Sequence, residues 1–241
     1  MKHTNKSRGF TLIELLLAMG VFLIICAAMF SLLQLSQQRY SSETQLSGTF
    51  QEARLAMDQI VRDVNDAGYP SRGMFASGAL IPTTSYVAGP IAWSPNYPGT
   101  PCSIGATCTT PGDFDLILET TIGGMVSYIR YQLIGTTLMR GSVAKNGTNP
   151  DALLTGSVMV PFLLNVMNQS SGVPIFKYAC DTPPPAGVTP CPSAPSNYNA
   201  TTNIRDVEVT LMVKTQLVDA QTGQVQIIEL NGRAHRLNPS N

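Results

Sequence analysis

Few residues of this chain have the type and spacing for chemistry, and most of them have a simpler reading. Asp113 and Asp115 could form an acid/base pair, but carboxylates alternating at the edge of an apolar run read first as solvent-face charges on a core strand. Asp63, Asn65 and Asp66 could offer oxygens to a calcium ion, but a solvated helix end is the favoured reading. Arg54, Asp58, Arg62 and Asp63 have the spacing of helix-face ion pairs, worth ~0.2–0.5 kcal/mol each. His235 has neither a nucleophile nor a carboxylate beside it in sequence and reads as an exposed terminal histidine. A glycine-rich phosphate loop, an HExxH helix and a GxSxG elbow are all missing from the sequence. These readings point away from an enzyme, and no cofactor is expected. The carboxylate that needs explaining is Glu14, alone in an apolar run that holds from Phe10 to about Leu35. In lipid such a charge costs roughly 2.5–3.5 kcal/mol at the bilayer centre and less near the interface. A partner for it is therefore expected.

The element that positions Glu14 is long enough to cross a bilayer, which takes ~20 apolar residues, and no residue from Leu15 to Phe30 is charged. Lys2, Lys6 and Arg8 precede this run, and Arg39 is the first basic residue after it. That bias places the amino end in the cytoplasm and the body of the chain outside it, in a bacterium the periplasm. The whole chain has 15 basic and 15 acidic residues. Without the leader its net charge falls to about −3, so a basic nucleic-acid surface is not expected.

Five cysteines fit an extracytoplasmic body. Cys26, within the apolar run, is expected to be a small buried thiol, while Cys102/Cys108 and Cys180/Cys191 form two close pairs in Pro/Thr/Ser-rich loops. Four cysteines allow three connectivities. Local pairing is favoured because each bridge closes a short loop, and disulfides suit an oxidising compartment. Zinc is the competing reading, but the two histidines, His3 and His235, lie far from these loops, and the tight CxxC spacing of structural zinc sites is missing.

Four regions follow: a basic leader at 1–9, a membrane-spanning or filament-core helix at 10–35, its amphipathic continuation at 36–68, and a β-rich head at 69–241. In the continuation Leu46, Phe50, Ala53, Met57, Ile60, Val61 and Val64 recur at helical spacing, and Gly68 with Pro70 marks the stop. A helix from about Thr11 to Ala67 would be roughly 85 Å long, with Gly48 a weak point and Gly20 or Ser31 the places for a kink. Residues 70–112 are proline-rich loop. Strand patterns follow near 114–119, 126–134 and 137–140, with Gly135-Thr136 as a turn. Alternation of Tyr128, Arg130 and Gln132 with Ile129, Tyr131 and Leu133 reads as a half-exposed strand. Segments 157–167 and 173–179 carry Pro161 and Pro174, which confine them to edges or bulges. The clearest hairpin pairs 207–215 with 224–230 around Gly223. The fold class is α+β: one long helix packed on an antiparallel sheet, with disulfide-closed loops.

The string Gly9-Phe10-Thr11-Leu12-Ile13-Glu14-Leu15, behind a short basic leader, resembles the signal of type IV pilins and type II secretion pseudopilins. An ordinary secretory signal would instead be cut after its apolar stretch. The resemblance implies that prepilin peptidase cuts after Gly9 and methylates the new terminus at Phe10. It also implies that Glu14 pairs with the terminal amine of a neighbouring subunit during assembly. Asp63 to Tyr69, with its Ala67-Gly68-Tyr69 ending, resembles the end of the long helix in PilW-type minor pilins. Asp115-Leu116-Ile117, Tyr131-Gln132-Leu133 and Leu138-Met139-Arg140 resemble the body of those proteins and of J-type minor pseudopilins. The closing Ala234-His235-Arg236-Leu237-Asn238 resembles their tail with Leu237 inserted. The implied role is a minor pilin that primes or joins a type IV pilus, with other minor and major pilins and an inner-membrane assembly platform as partners. A J-type pseudopilin of a type II secretion machine and a pilus-associated surface adhesin are the alternatives.

Overall fold

A computed structural model describes residues 11–87, 89–91, 112–146, 153–180, 204–219 and 222–238. Helix α1 (Leu12–Asp66) runs unbroken through Gly20, Ser31 and Gly48. The Ser31 hydroxyl donates to the Ala27 carbonyl at 3.0 Å without interrupting it. Ala67 leaves the helix in an extended conformation and Gly68 follows at φ +98°. Glycine is required there twice over, because a Cβ would also lie 3.0 Å from the Asn238 carbonyl oxygen.

Strands β1 (Asp115–Ile122), β2 (Met125–Ile134), β3 (Thr137–Ala144) and β4 (Val160–Leu163) form an antiparallel sheet in that order. Strands β5 (Phe176–Cys180), β6 (Ile204–Lys214) and β7 (Ile227–His235) form a second one, also in order. The β2–β3 turn has Gly135 at φ +61°, the positive value a two-residue hairpin needs at its first position. Pro161 lies on edge strand β4, whose pairing with β3 slips at Leu138/Met139, and Pro174 precedes edge strand β5. The expected β6–β7 hairpin is present, with Lys214 facing Ile227, and it continues to His235 opposite Asp206. Buried Asn168 ties the segment between β4 and β5 to β6: its amide donates to the Thr210 carbonyl and accepts from the Met212 N–H, both at 2.8 Å.

The core lies where the second half of α1 crosses both sheets. Ala53, Ala56, Met57, Ile60 and Val64 pack with Leu116, Leu118, Ile129, Leu133, Val207, Val209, Leu211 and Val213. The helix comes so close to β7 that a Cβ on Gly232 would lie 2.6 Å from the Met57 sulfur. Phe50, expected on the core face, is instead largely exposed on the flank of the helix, one turn short of the core.

Two further expectations are corrected. Strand β2 is buried on both faces rather than half-exposed, because residues 153–159 cover its outer side. Tyr128 packs there with Leu154 and Met159, and Arg130 donates to the Leu154 carbonyl. Asp115 is no solvent-face charge, since it takes a two-point ion pair from Arg130 (3.0 and 2.6 Å). The same outer side holds Lys145, whose ammonium meets Glu119 at 2.8 Å with both side chains at most 4% exposed.

Candidate functional site

The first half of α1 carries the candidate site. Residues 11–41 are exposed along their whole length, including Leu15, Phe22, Ile24 and Phe30. So long an apolar surface marks contact with lipid or other protein, and α1 is the described helix long and apolar enough to cross a membrane. Cys26 is a free thiol on that surface. It was expected to be buried, but none of the described residues of its own chain covers it.

At the start of the helix, Thr11 and Glu14 satisfy each other. The Glu14 N–H donates to the Thr11 hydroxyl at 3.4 Å, while one Glu14 carboxylate oxygen accepts from the Thr11 N–H at 3.0 Å and its hydroxyl at 2.9 Å. This is a capping box, and the carboxylate lies at the positive end of the helix dipole. Glu14 therefore has a local partner before any other subunit arrives. Gly9 and Phe10, the expected cleavage and methylation positions, lie outside the described residues, as do Cys102, Cys108 and Cys191. Cys180 ends β5 opposite Ile204. The favoured pairing predicts Cys102–Cys108 and Cys180–Cys191 links, with Cys26 free, in a non-reduced peptide map. A Cys102 link to Cys180 or Cys191 would contradict it.

At the other end of α1 a buried network locks helix to head. Asp63, expected at a solvated helix end, is 7% exposed. One of its oxygens accepts from the Tyr131 hydroxyl (2.6 Å) and from Arg140 Nη2 (2.8 Å), and the other accepts from Gln59 Nε2 (2.7 Å). Burial pushes the Tyr131 hydroxyl far above its ordinary pKa, and the Asp63 charge adds to this. Tyr131 thus stays a donor at any physiological pH. Spacing held the clue to this role: Asp63 lies three residues after Ile60 and beside Val64, on the core face. Asn65 ties the same helix end to the tail, accepting from the His235 N–H at 2.9 Å.

His235 also gains the carboxylate partner that sequence did not show. Its Nδ1 lies 2.7 Å from Asp206, while its Nε2 accepts from Arg205 Nε at 2.9 Å, so the proton sits on Nδ1. Burial raises the Asp206 pKa, but the hydrogen bonds from Arg233 and His235 and the charge of Arg233 outweigh this and hold it below its ordinary value. No group of three or more His, Cys, Asp or Glu among the described residues is placed to hold a metal ion.

The family model of the prokaryotic N-terminal methylation motif matches residues 4–30, the stretch that contains Gly9, Phe10 and the capped Glu14. Searches of curated proteins and of solved structures found no match. The motif implies processing by prepilin peptidase, and together with one apolar N-terminal helix it fits a single-pass inner-membrane anchor. A methylation motif leading into a long helix whose far half is buried against antiparallel sheets supports a type IV pilin-like protein.

Proposed function

We propose that this chain is a minor pilin of the PilW type, which primes or joins a type IV pilus and has no catalytic activity of its own. The observation that carries the reading is the methylation motif opening an apolar helix that the described residues of its head leave bare. A helix exposed on every side is suited to exchange lipid for neighbouring helices, and filament assembly makes that exchange. Cleavage after Gly9 would free the amine of Phe10. Glu14, four residues further on, would then be the acceptor for a neighbour's amine. The head would stay periplasmic until incorporation through the inner-membrane assembly platform, beside other minor and major pilins. The long central loops read in the sequence, such as the proline-rich 70–112, exceed what a compact pseudopilin needs and favour the pilus over the secretion machine.

Deletion of the gene is expected to lower the number of surface pili, with attachment falling in proportion. Normal piliation with failed protein export would instead assign the chain to a type II secretion machine. Normal piliation with lost attachment would make it an adhesin.

A further inference from the structure

Two contacts and two shared cavities between α1 and the β6–β7 hairpin form a ruler along the head. Asn65 meets the His235 backbone, and Met57 lies over Gly232. Gly48 and Glu52 share one cavity with Val213 and Gln216; Gln38, Arg39 and Ser42 share another with Asp219 and Gln226. The hairpin therefore descends the helix toward the apolar segment, and its turn, between Lys214 and Ile227, is at the low end. Gln38 to Ser42 follow Leu35 by three to seven residues, about 5–11 Å at the helical rise. The headgroup layer on each side of the hydrocarbon core is ~5–8 Å deep. The turn thus stands at the height of the headgroups.

Among its described residues the turn exposes an apolar pair, flanked by exposed Gln216, Thr222 and Gln224. Leu217 and Val218 are 61% and 55% exposed, whereas hairpin turns in water favour Gly, Asn, Asp and Ser. Both residues sit on a braced loop. Thr215 and Gln226 exchange two hydrogen bonds of 2.9 and 3.0 Å across its neck, and Asp219 accepts from the Thr222 N–H and the Gln226 amide. At the same height α1 carries Tyr40, 73% exposed, beside Arg39; aromatic and basic residues are the usual anchors at a membrane interface. Charges at this end balance, Arg39 and Lys214 against Glu43 and Asp219, so attraction to anionic lipid is not the driving term. Apolar burial is.

We infer that the turn after β6 seats Leu217 and Val218, with Tyr40, in the headgroup layer of the bilayer that residues 10–35 span. The partner is a phospholipid surface. The seat fixes the tilt of the head while the subunit waits in the membrane. This inference rests on the membrane-span reading of 10–35.

The test places a tryptophan as a depth probe in the full chain, reconstituted in phosphatidylethanolamine/phosphatidylglycerol vesicles at high lipid excess. Each variant is read against the parent chain, whose single tryptophan gives a constant background. L217W should lose emission to lipids brominated near the headgroup end of the acyl chain, and the loss should persist in high salt. I122W, at the end of β1 next to Thr121, whose hydroxyl donates to the Tyr69 carbonyl at the far end of the head, should lose none. L23W, within the span, should be quenched by lipids brominated near the chain end. If L23W is quenched and L217W is not, the seat is wrong while the span stands. If L23W is not quenched, the span reading fails and the seat with it. A blue-shifted L217W that lipid does not quench would mean burial against protein and would equally overturn the seat.

Discussion

Asp63→Ala should destabilise the head by about 3 kcal/mol, near the lower end of the ~3–5 kcal/mol cost of breaking a buried ion pair. The lost carboxylate is the shared acceptor of Tyr131, Arg140 and Gln59. Tyr131 is fully buried and cannot turn to water, so its hydroxyl proton loses its acceptor at ~1–3 kcal/mol, while the oxygen still accepts from Arg140 Nε. Arg140 keeps 24% side-chain exposure and recovers part of its solvation, which is why the lower end applies. Alanine's better helix propensity offsets ~0.7 kcal/mol at most. Asp63→Asn retains an acceptor oxygen and should fall between the two. A denaturant titration of the detergent-solubilised chain, followed through its β-sheet signal, reads the difference. A loss below ~1 kcal/mol for Asp63→Ala would mean that the network is no stronger than a surface pair.

This network also shows where sequence stopped being informative. Helical periodicity placed Ala53, Met57, Ile60 and Val64 on one face, and the start of the apolar run and the Gly68/Pro70 stop bounded α1 within a residue or two, because those signals are local. Gly135 and Gly223 marked their turns for the same reason. Partners of Asp63, Asp115 and His235 depend on which strands come together, and nothing local encodes a pairing between residues 63 and 140. The outer cover of β2 was hidden similarly, since alternation reports one face, while residues 153–159 arrive from outside the strand's own pattern. Of the candidate site, Glu14 was legible as a carboxylate out of place. Its cap by Thr11 was not drawn from the sequence, although Thr11 and Glu14 have capping-box spacing.

That cap sharpens the second prediction. Glutamine at the third helical position serves a capping box almost as well as glutamate. Glu14→Gln should therefore keep the bond from Thr11 and leave membrane insertion, cleavage and the head unchanged. What it removes is charge. On the proposed assembly contact, a neighbour's amine would then be buried without its counter-ion. At ~3–5 kcal/mol this corresponds to roughly a hundredfold or greater loss of incorporation. Co-purification with the other minor subunits and a pilus count read it. Equal recovery and piliation for both proteins would remove Glu14 from assembly. A defect confined to insertion would show that its role is in the membrane and not between subunits.

The account depends most on the identity of the mature amino terminus, which mass spectrometry of the amino-terminal peptide measures directly. The expected peptide from membrane-extracted protein begins at Phe10 and carries one methyl group on its amine. Gly9→Val should leave the leader attached and the terminus unmethylated. A chain that keeps Met1–Gly9 in the wild type, one cut beyond the apolar run, or methylated Phe10 persisting in Gly9→Val would contradict the account.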